Sequence, residues 1–339
     1  MSPLPTHQKS LIFNTTTTTL SLSTTAPLPS PPNEHLLAVH STAITNGELT
    51  WGPYVDWPTH HTPCFDVSGT ILTTVPHSPF QPGDRVFGRV RGDRDGTARE
   101  FATILPSEAA LVPEGLSMVD AASVPMSAHT AWQALFEHGG LTGGLANAPR
   151  VGAEGEVLGG QLAAGKRVLV LGAAGGVGLF AVQFAKLADA HVVGTASGRN
   201  EEFLKSIGID EVVDYTKMSV EEWIGGDGAR KFDLVFGCVG GDKNVMEGWA
   251  AVKGDGAYIS VVPGFREPDG GKPEGVKSFW FIMEPRSKEL EAIGRLMTKG
   301  LVKTRVDSVW RIEEYEKAFA RTATGHARGK VVIQIVNDE

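Results

Sequence analysis

The sequence predicts a two-domain α/β protein in which a doubly wound parallel sheet follows a β-rich N-terminal domain. An apolar strand at 167–171 leads through a glycine-rich turn into an amphipathic helix. Further apolar strand segments alternate with helical patterns, which is typical of a parallel sheet with helices on both faces. The chain has 339 residues, more than a single compact core usually holds. Two domains are therefore expected.

Short β-branched and apolar runs predict the remaining strands of the parallel sheet, at 191–195, 211–214, 232–236 and 256–262. In the N-terminal part, Pro, Gly and polar turn residues separate shorter predicted strands, at 11–13, 36–41, 66–72, 84–88 and 100–104. The threonine-rich segment 15–24 favours β structure and lacks arginine. We therefore interpret it as a hairpin rather than as a flexible tail or a transit peptide.

The turn after strand 167–171 has the pattern of a dinucleotide-binding loop. Ala173, Gly175 and Gly178 form a GxGxxG pattern in which alanine replaces the first glycine. Small residues permit a tight bend and a close approach of the backbone to a pyrophosphate. The following helix offers the phosphates its unpaired N–H groups and the positive end of its dipole. We predict that this loop, with Gly176 and Val177 as its other members, binds a dinucleotide.

The end of the second sheet strand indicates which dinucleotide binds. A fold that prefers NAD usually has an acidic residue there to bind the ribose 2′-hydroxyl. This chain has Ser197 and Arg199, and no carboxylate occurs before Glu201. A hydroxyl and a guanidinium suit a 2′-phosphate. The sequence therefore predicts NADPH as the cofactor, the alternative being that Arg199 is an ordinary surface arginine.

The ends of the next strands supply further candidates, because ligands of such sheets bind at the carboxyl ends of the strands. Val239 and Gly240 follow the fourth predicted strand, and Val262 ends the fifth. We expect all three residues to line the cofactor site.

Composition argues against several other classes of function. A net charge of −8 and a pI near 5.7 disfavour nucleic acid or an anionic membrane surface as a partner. No segment approaches the roughly 18 apolar residues of a membrane span, and no signal-peptide pattern is present. Cys64 and Cys238 are too few for a disulfide scaffold. We expect a cytoplasmic protein that acts on small molecules.

Four motifs carry a family resemblance. They are AASVPMSAHTAWQALFEHGGL at 121–141, GAAGGVG at 172–178, VVDY at 212–215 and GHARGKVVIQIV at 325–336. In this order they resemble the medium-chain dehydrogenase/reductase superfamily, and within it the zinc-independent quinone oxidoreductases and enoyl reductases, particularly fungal ones. The resemblance implies a GroES-like, β-barrel-type catalytic domain, a Rossmann NADP-binding domain and a return of the chain to the catalytic domain. The corresponding segments are 1–130, 131–282 and 283–339.

The resemblance also bears on metal binding. Zinc-dependent relatives have an early cysteine ligand, a GHE motif and often a four-cysteine lobe. At the GHE position this chain has Cys64, Phe65 and Asp66, and no cysteine lies near 45–48. Phenylalanine cannot bind a metal. Although the histidines at 60–61 add potential ligands, their spacing fits no zinc pattern, so the sequence predicts no metal site.

Without a metal, the resemblance implies NADPH-dependent transfer of hydride to the C=C bond of a conjugated carbonyl, or to a quinone. Tyr54 matches a pocket tyrosine whose hydroxyl would donate to the developing oxyanion, and Thr130 matches a threonine beside the nicotinamide ring. Simpler interpretations stay open. Tyr54 also fits a surface aromatic, and Thr130 fits a helix threonine bonded to its own backbone.

Two further residues are matched to the cofactor by the resemblance. Tyr215 corresponds to a tyrosine along the adenosine 2′-phosphate, beside Ser197 and Arg199, and Lys330 resembles a lysine that reaches the cofactor from the returning chain. Two other functions stay open, a carbonyl reductase or alcohol dehydrogenase of the same superfamily and a cofactor-binding protein without turnover.

Two segments raise questions that the motifs leave open. The apolar run 278–282 resembles a strand that pairs subunits in this superfamily, so a homodimer is an alternative to a monomer. The expected partner is otherwise a small-molecule enone or quinone, without nucleic acid or membrane. The Gly- and Ala-rich segment 142–164 is predicted to be a surface loop.

Overall fold

The computed structural model describes residues 4–30 and 33–336. The chain forms two compact units. The first contains the residues up to 126, residues 284–294 and the residues from 304 onwards; the second contains 127–283 and 295–303. Segment 295–303, which the sequence analysis assigned to the returning chain, thus lies in the second unit.

The N-terminal part of the first unit is mostly β structure. Its elements are β1 (His7–Asn14), β2 (Thr19–Pro27), β3 (His35–Ile44), β4 (His60–His61), β5 (Asp66–Thr73), β6 (Arg85–Arg89), β7 (Phe101–Ile104), β8 (Ala109–Leu111) and α1 (Met118–Ala122). Strands β1 and β2 form an antiparallel pair around a turn in which Thr18 has a φ of 54°. The predicted hairpin in the threonine-rich segment is therefore confirmed.

The second unit contains the predicted parallel sheet. Its elements are α2 (Pro125–Trp132), β9 (Arg150–Val151), β10 (Val157–Leu158), β11 (Arg167–Leu171), α3 (Gly176–Leu187), β12 (His191–Ala196), α4 (Glu201–Ser206), β13 (Glu211–Asp214), α5 (Val220–Ile224), β14 (Phe232–Gly237), α6 (Asp242–Ala251), β15 (Val252–Ser260) and β16 (Lys277–Trp280). Six parallel strands follow the order β13-β12-β11-β14-β15-β16. This is the doubly wound order of dinucleotide-binding folds, so the predicted fold class is confirmed.

The chain then returns to the sheet of the first unit. Its last elements are α7 (Ser287–Thr298), β17 (Val306–Arg311), α8 (Tyr315–Ala323) and β18 (Lys330–Gln334). Strand β18 pairs with β3, and the order of this sheet is β17-β18-β3-β5-β6-β8, with β7 also paired to β3. Strand β3 therefore lies between the C-terminal strand β18 and β5.

Each unit has its own apolar core. In the second unit, Leu169, Val235 and Tyr258 are register neighbours on one face of the parallel sheet, where they are buried against side chains of α5 and α6. In the first unit, Val39 and Val67 belong to a cluster that spans the mixed sheet. Full burial of such a side chain contributes about 1.5–3 kcal/mol, so these cores hold the strand ends that carry the candidate site.

The segment 142–164 differs from the predicted loop. It contains a short antiparallel pair, β9 with β10, in which Val157 lies opposite Val151 and the Gly152 N–H donates to the Glu156 carbonyl. Two-residue strands are too short for a periodic pattern, and the sequence gives no sign of them. Among the described helices, none is long and apolar enough to cross a membrane.

Candidate functional site

The glycine loop after β11 requires its last glycine. Gly172 begins the loop with a φ of +85°, and its N–H donates to Thr195 Oγ1 at 2.9 Å. A Cβ on Gly178 would lie 2.2 Å from the Gly172 carbonyl oxygen and 2.8 Å from the Ala173 Cα. Helix α3 can therefore begin this close to the end of β11 only because residue 178 has no side chain.

A glycine on the neighbouring strand accommodates the alanine that replaces the first motif glycine. Ala173 is fully buried. A Cβ on Gly194 of β12 would lie 2.6 Å from the Ala173 Cβ. The methyl group thus occupies space that Gly194 leaves empty, which explains how the altered motif keeps its tight turn.

The start of α3 is suited to a phosphate. Gly175 is the N-cap, no side chain caps it, and the first turn has no acidic residue. A Cβ on Gly175 would meet the Gly172 oxygen at 3.4 Å, an ordinary contact in an ordinary conformation. Protein packing therefore does not require glycine at 175, whereas a closely bound pyrophosphate would. This loop fits a dinucleotide.

The other predicted residues of the sheet edge come together at the same end. A Cβ on Gly172 would lie 3.2 Å from the Val239 Cβ, and one on Gly240 would lie 3.9 Å from the Val262 Cβ. These contacts join the carboxyl ends of β11, β14 and β15. The structure thus places Val239 beside the glycine loop, and Gly240 and Val262 next to each other at the neighbouring strand ends.

The residues predicted to bind the 2′-phosphate lie at two adjacent strand ends. Ser197 and Arg199 belong to a turn after β12 that continues into a short 3₁₀ helix, and Tyr215 follows β13. The Tyr215 N–H donates to the Ala196 carbonyl at 3.3 Å, and its side chain is 47% exposed. Asp214, which the sequence analysis did not select, directly precedes Tyr215.

In the first unit, an aromatic stack occupies the position of the zinc-binding histidine. Phe65 is 1% exposed and stacks with Trp51 and Trp57 at centroid distances of 5.8 Å and 6.3 Å. The Arg89 guanidinium lies 5.9 Å from the Phe65 ring centroid. The position is therefore filled by a packed ring with no donor atom.

A buried ion pair lies next to this stack. The Lys330 Nζ is 3.1 Å from Asp66 Oδ2 and donates to Thr45 Oγ1 at 3.0 Å. The other carboxylate oxygen of Asp66 accepts the Met126 N–H at 2.7 Å. The resemblance matched Lys330 to the cofactor, but its ammonium group contacts two residues of the first unit, Asp66 and Thr45.

Glu48 is a second buried acid that the sequence analysis left without a role. Its carboxylate oxygens accept the Thr45 N–H at 3.0 Å and the Cys64 N–H at 3.2 Å. Burial raises the pKa of Glu48 to about 7, although these hydrogen bonds and the charge of Lys330 oppose the rise. Glu48 therefore titrates near neutral pH. A lone acid between Gly47 and Leu49 gives no signal of such burial.

The side chains around Phe65 do not fit a zinc ion. Asp66 is paired with Lys330, and both oxygens of Glu48 accept backbone N–H groups. His61 packs against Trp57 at a centroid distance of 4.0 Å, and burial lowers its pKa to about 4. Within residues 4–30 and 33–336, no group of three or more His, Cys, Asp or Glu side chains is arranged to hold a metal.

The two residues proposed to act in catalysis lie in different units. Tyr54 ends a 3₁₀ helix over Gly52–Tyr54 in the first unit, and its side chain is 56% exposed. Thr130 lies in α2 in the second unit and is buried. Tyr54 can therefore reach a ligand in solution, which is a requirement for its predicted role.

A dinucleotide loop on a doubly wound sheet, together with the mixed sheet of the first unit, defines a nucleotide-dependent oxidoreductase fold. Residues 207–333 match the family model described as zinc-binding dehydrogenase. The chain is 39% identical to a "probable zinc-binding oxidoreductase, mitochondrial" of Arthroderma benhamiae, over 99% of both chains. It is 33% identical to the human "NAD(P)H oxidoreductase RTN4IP1, mitochondrial", over 80% of this chain and 69% of the relative.

A solved structure agrees in fold. The quinone oxidoreductase from Coxiella burnetii superposes with a TM-score of 0.78 at 23% identity and covers 97% of this chain and 99% of its own. The chain therefore belongs to the medium-chain dehydrogenase/reductase superfamily, in its quinone oxidoreductase-like branch. It is an oxidoreductase with a nicotinamide cofactor.

The two motif glycines should separate stability from cofactor binding. In Gly178→Ala the new Cβ collides with the Gly172 carbonyl, so we expect a stability loss of about 1–3 kcal/mol and loss of NADPH binding. In Gly175→Ala the packing contact is ordinary, so stability should stay native while NADPH binding weakens. Thermal unfolding and fluorescence titration with NADPH measure both effects. Native stability of Gly178→Ala would contradict this description of the loop.

Proposed function

We propose that the protein transfers hydride from NADPH to the C=C bond of a conjugated carbonyl, or to a quinone, without zinc. The observation that carries this proposal is the stacked Phe65 at the position of the zinc-binding histidine, in a chain whose dinucleotide loop fits its cofactor. Without a metal, reduction of a carbonyl to an alcohol lacks the Lewis acid that would polarise the carbonyl. Addition of hydride to an electron-poor carbon depends mainly on orientation and on stabilisation of the resulting oxyanion.

The residues of the chain then have distinct tasks. When bound, the cofactor supplies the hydride. The glycine loop and the strand ends at Val239 and Val262 orient it, and Thr130 is assigned to the side of the nicotinamide ring. The hydroxyl of Tyr54 is assigned to the oxygen on which negative charge collects, where a preorganised donor lowers the barrier. The proton that completes the reaction comes from this hydroxyl or from water.

The preference for NADPH rests on the turn after β12. Ser197 and Arg199 offer a hydroxyl and a permanent positive charge, and Tyr215 lies at the adjacent strand end. A guanidinium binds a phosphate through charged hydrogen bonds, which contribute more than neutral ones. We therefore propose that these three residues bind the 2′-phosphate.

A second candidate is a carbonyl reductase or alcohol dehydrogenase of the same superfamily, for which the descriptions of the family model and of the fungal relative favour a bound zinc ion. A cofactor-binding protein without turnover is the third.

A homodimer formed along the edge strand β16 stays a prediction. The Phe279 side chain on this strand is 48% exposed, and measurement of the particle mass in solution tests the prediction. A cytoplasmic location also stays a prediction, since both compared relatives are named mitochondrial.

One assay separates these candidates. Purified protein is supplied with NADPH or NADH and a panel of enones, quinones, ketones and aldehydes, before and after treatment with a zinc chelator. We expect NADPH consumption with enones or quinones, slower consumption of NADH, and unchanged rates after chelation. Activity on ketones or aldehydes that disappears with the zinc would establish the second candidate. No consumption with any acceptor, despite NADPH binding, would favour the third candidate.

The role of Tyr54 has its own test. Tyr54→Phe removes only a hydroxyl, so we expect turnover to fall about tenfold or more, while NADPH affinity stays native because the dinucleotide loop is in the other unit. Tyr315→Phe is the matched control. Its hydroxyl donates to the Leu20 carbonyl in the same unit, and we expect native turnover. NADPH deuterated at C4 shows whether hydride transfer limits the rate. Native turnover of Tyr54→Phe under that condition would exclude the proposed role.

A further inference from the structure

An acid is present at the turn after β12, although the sequence of that turn has none. Asp214 ends β13 and is the register partner of Ala196, the last residue of β12. Its carboxylate therefore reaches the turn from the neighbouring strand. A Cβ placed on Gly198 would lie 2.6 Å from Asp214 Oδ2. The turn that carries Ser197 and Arg199 thus has a carboxylate directly against its backbone.

The two oxygens of this carboxylate have different partners. Oδ1 accepts hydrogen bonds from the Thr216 N–H at 3.1 Å and from the Thr216 hydroxyl at 2.7 Å. Oδ2 lies 3.3 Å from the Nζ of Lys217. The hydrogen bond from the Thr216 hydroxyl is the largest of the effects that hold the pKa of Asp214 below its usual value. Asp214 is therefore a carboxylate at neutral pH, with Oδ1 occupied and Oδ2 facing a cation.

Lys217 lies over the same turn. Its Nζ would be 4.0 Å from a Cβ on Gly198, and its side chain is 74% exposed, so the ammonium group is accessible to a ligand. Its charge also contributes to lowering the pKa of Glu201, after the larger effect of Lys205. Lys217 therefore offsets the charge of Asp214 beside the turn that carries Ser197 and Arg199.

We propose that Asp214 and Lys217 together set the discrimination between NADPH and NADH. Lys217 contacts a 2′-phosphate and shields it from Asp214, whereas Oδ2 of Asp214 accepts a hydrogen bond from a 2′-hydroxyl. With this pair the site can bind either cofactor, and Lys217 increases the affinity for NADPH, which carries the 2′-phosphate. This inference rests on the proposed function, because it concerns the same cofactor site.

Binding of cofactor fragments tests the pair without turnover. Adenosine 2′,5′-bisphosphate and adenosine 5′-monophosphate differ only in the 2′-phosphate, and calorimetry gives the affinity of each. In Lys217→Gln we expect the bisphosphate to bind roughly five- to thirtyfold more weakly, less at high salt because the lysine is exposed. Affinity for the monophosphate should stay within about twofold of native, because the monophosphate has no 2′-phosphate for Lys217 to contact.

A second variant should change the affinity for the bisphosphate in the opposite direction. Asp214→Asn keeps an oxygen that accepts from Thr216 and removes the charge that opposes a phosphate. We expect it to favour the bisphosphate and to weaken NADH binding. In the double variant Asp214→Asn/Lys217→Gln, most of the bisphosphate affinity lost in Lys217→Gln should return. Thermal unfolding confirms that each variant is folded.

Two controls separate this inference from the proposed function. Lys231→Gln removes a lysine at the amino end of β14, opposite the carboxyl ends of the strands, and should change neither affinity. Arg199→Ala should weaken the bisphosphate by about tenfold or more. If Arg199→Ala has this effect and the variants of Asp214 and Lys217 bind both fragments as the native protein does, the inference is wrong and the NADPH assignment stands. If the native protein binds both fragments equally, the NADPH assignment fails.

Discussion

The buried pair of Asp66 and Lys330 joins the two strands that flank β3 in the first unit. Asp66 begins β5, Lys330 begins β18, and both strands flank β3, whose last residue precedes Thr45 by one position. The three polar side chains therefore meet at one end of three adjacent strands. A buried pair repays its desolvation only with good geometry and additional hydrogen bonds. Here Thr45 and the Met126 N–H provide those bonds.

The loop that carries the candidate catalytic tyrosine begins at Thr45, which accepts a hydrogen bond from Lys330 of this pair. Glu48 follows Thr45 by three residues and is fixed by N–H groups from both sides, those of Thr45 and Cys64. Cys64 leads into Phe65, whose ring stacks with two tryptophans of the same loop. Charge pairing and aromatic packing thus hold the backbone at the position where zinc-dependent relatives have a ligand. Tyr54 lies within this loop.

The sequence predicted features that depend on local pattern. The glycine loop, the parallel strands and the β1–β2 hairpin follow from residue types within short windows. The buried charges could not be predicted in this way, because Asp66 and Lys330 are far apart in the sequence and meet only in the folded protein. Asp214 was missed for a similar reason. Its approach to the turn after β12 depends on the register of two parallel strands, which no local pattern specifies. The match of Ala173 with Gly194 is another contact across strands.

We expect the buried pair of Asp66 and Lys330 to stabilise the first unit without a metal ion. A double-mutant cycle in urea unfolding of chelator-treated protein tests this expectation, with Asp66→Asn, Lys330→Met and the double variant. Each single change leaves a buried group without its partner, so we expect a loss of about 3–5 kcal/mol each, and for the double variant a loss smaller than their sum by about 2 kcal/mol or more. Additive losses, or a native protein that unfolds on chelation, would contradict this expectation.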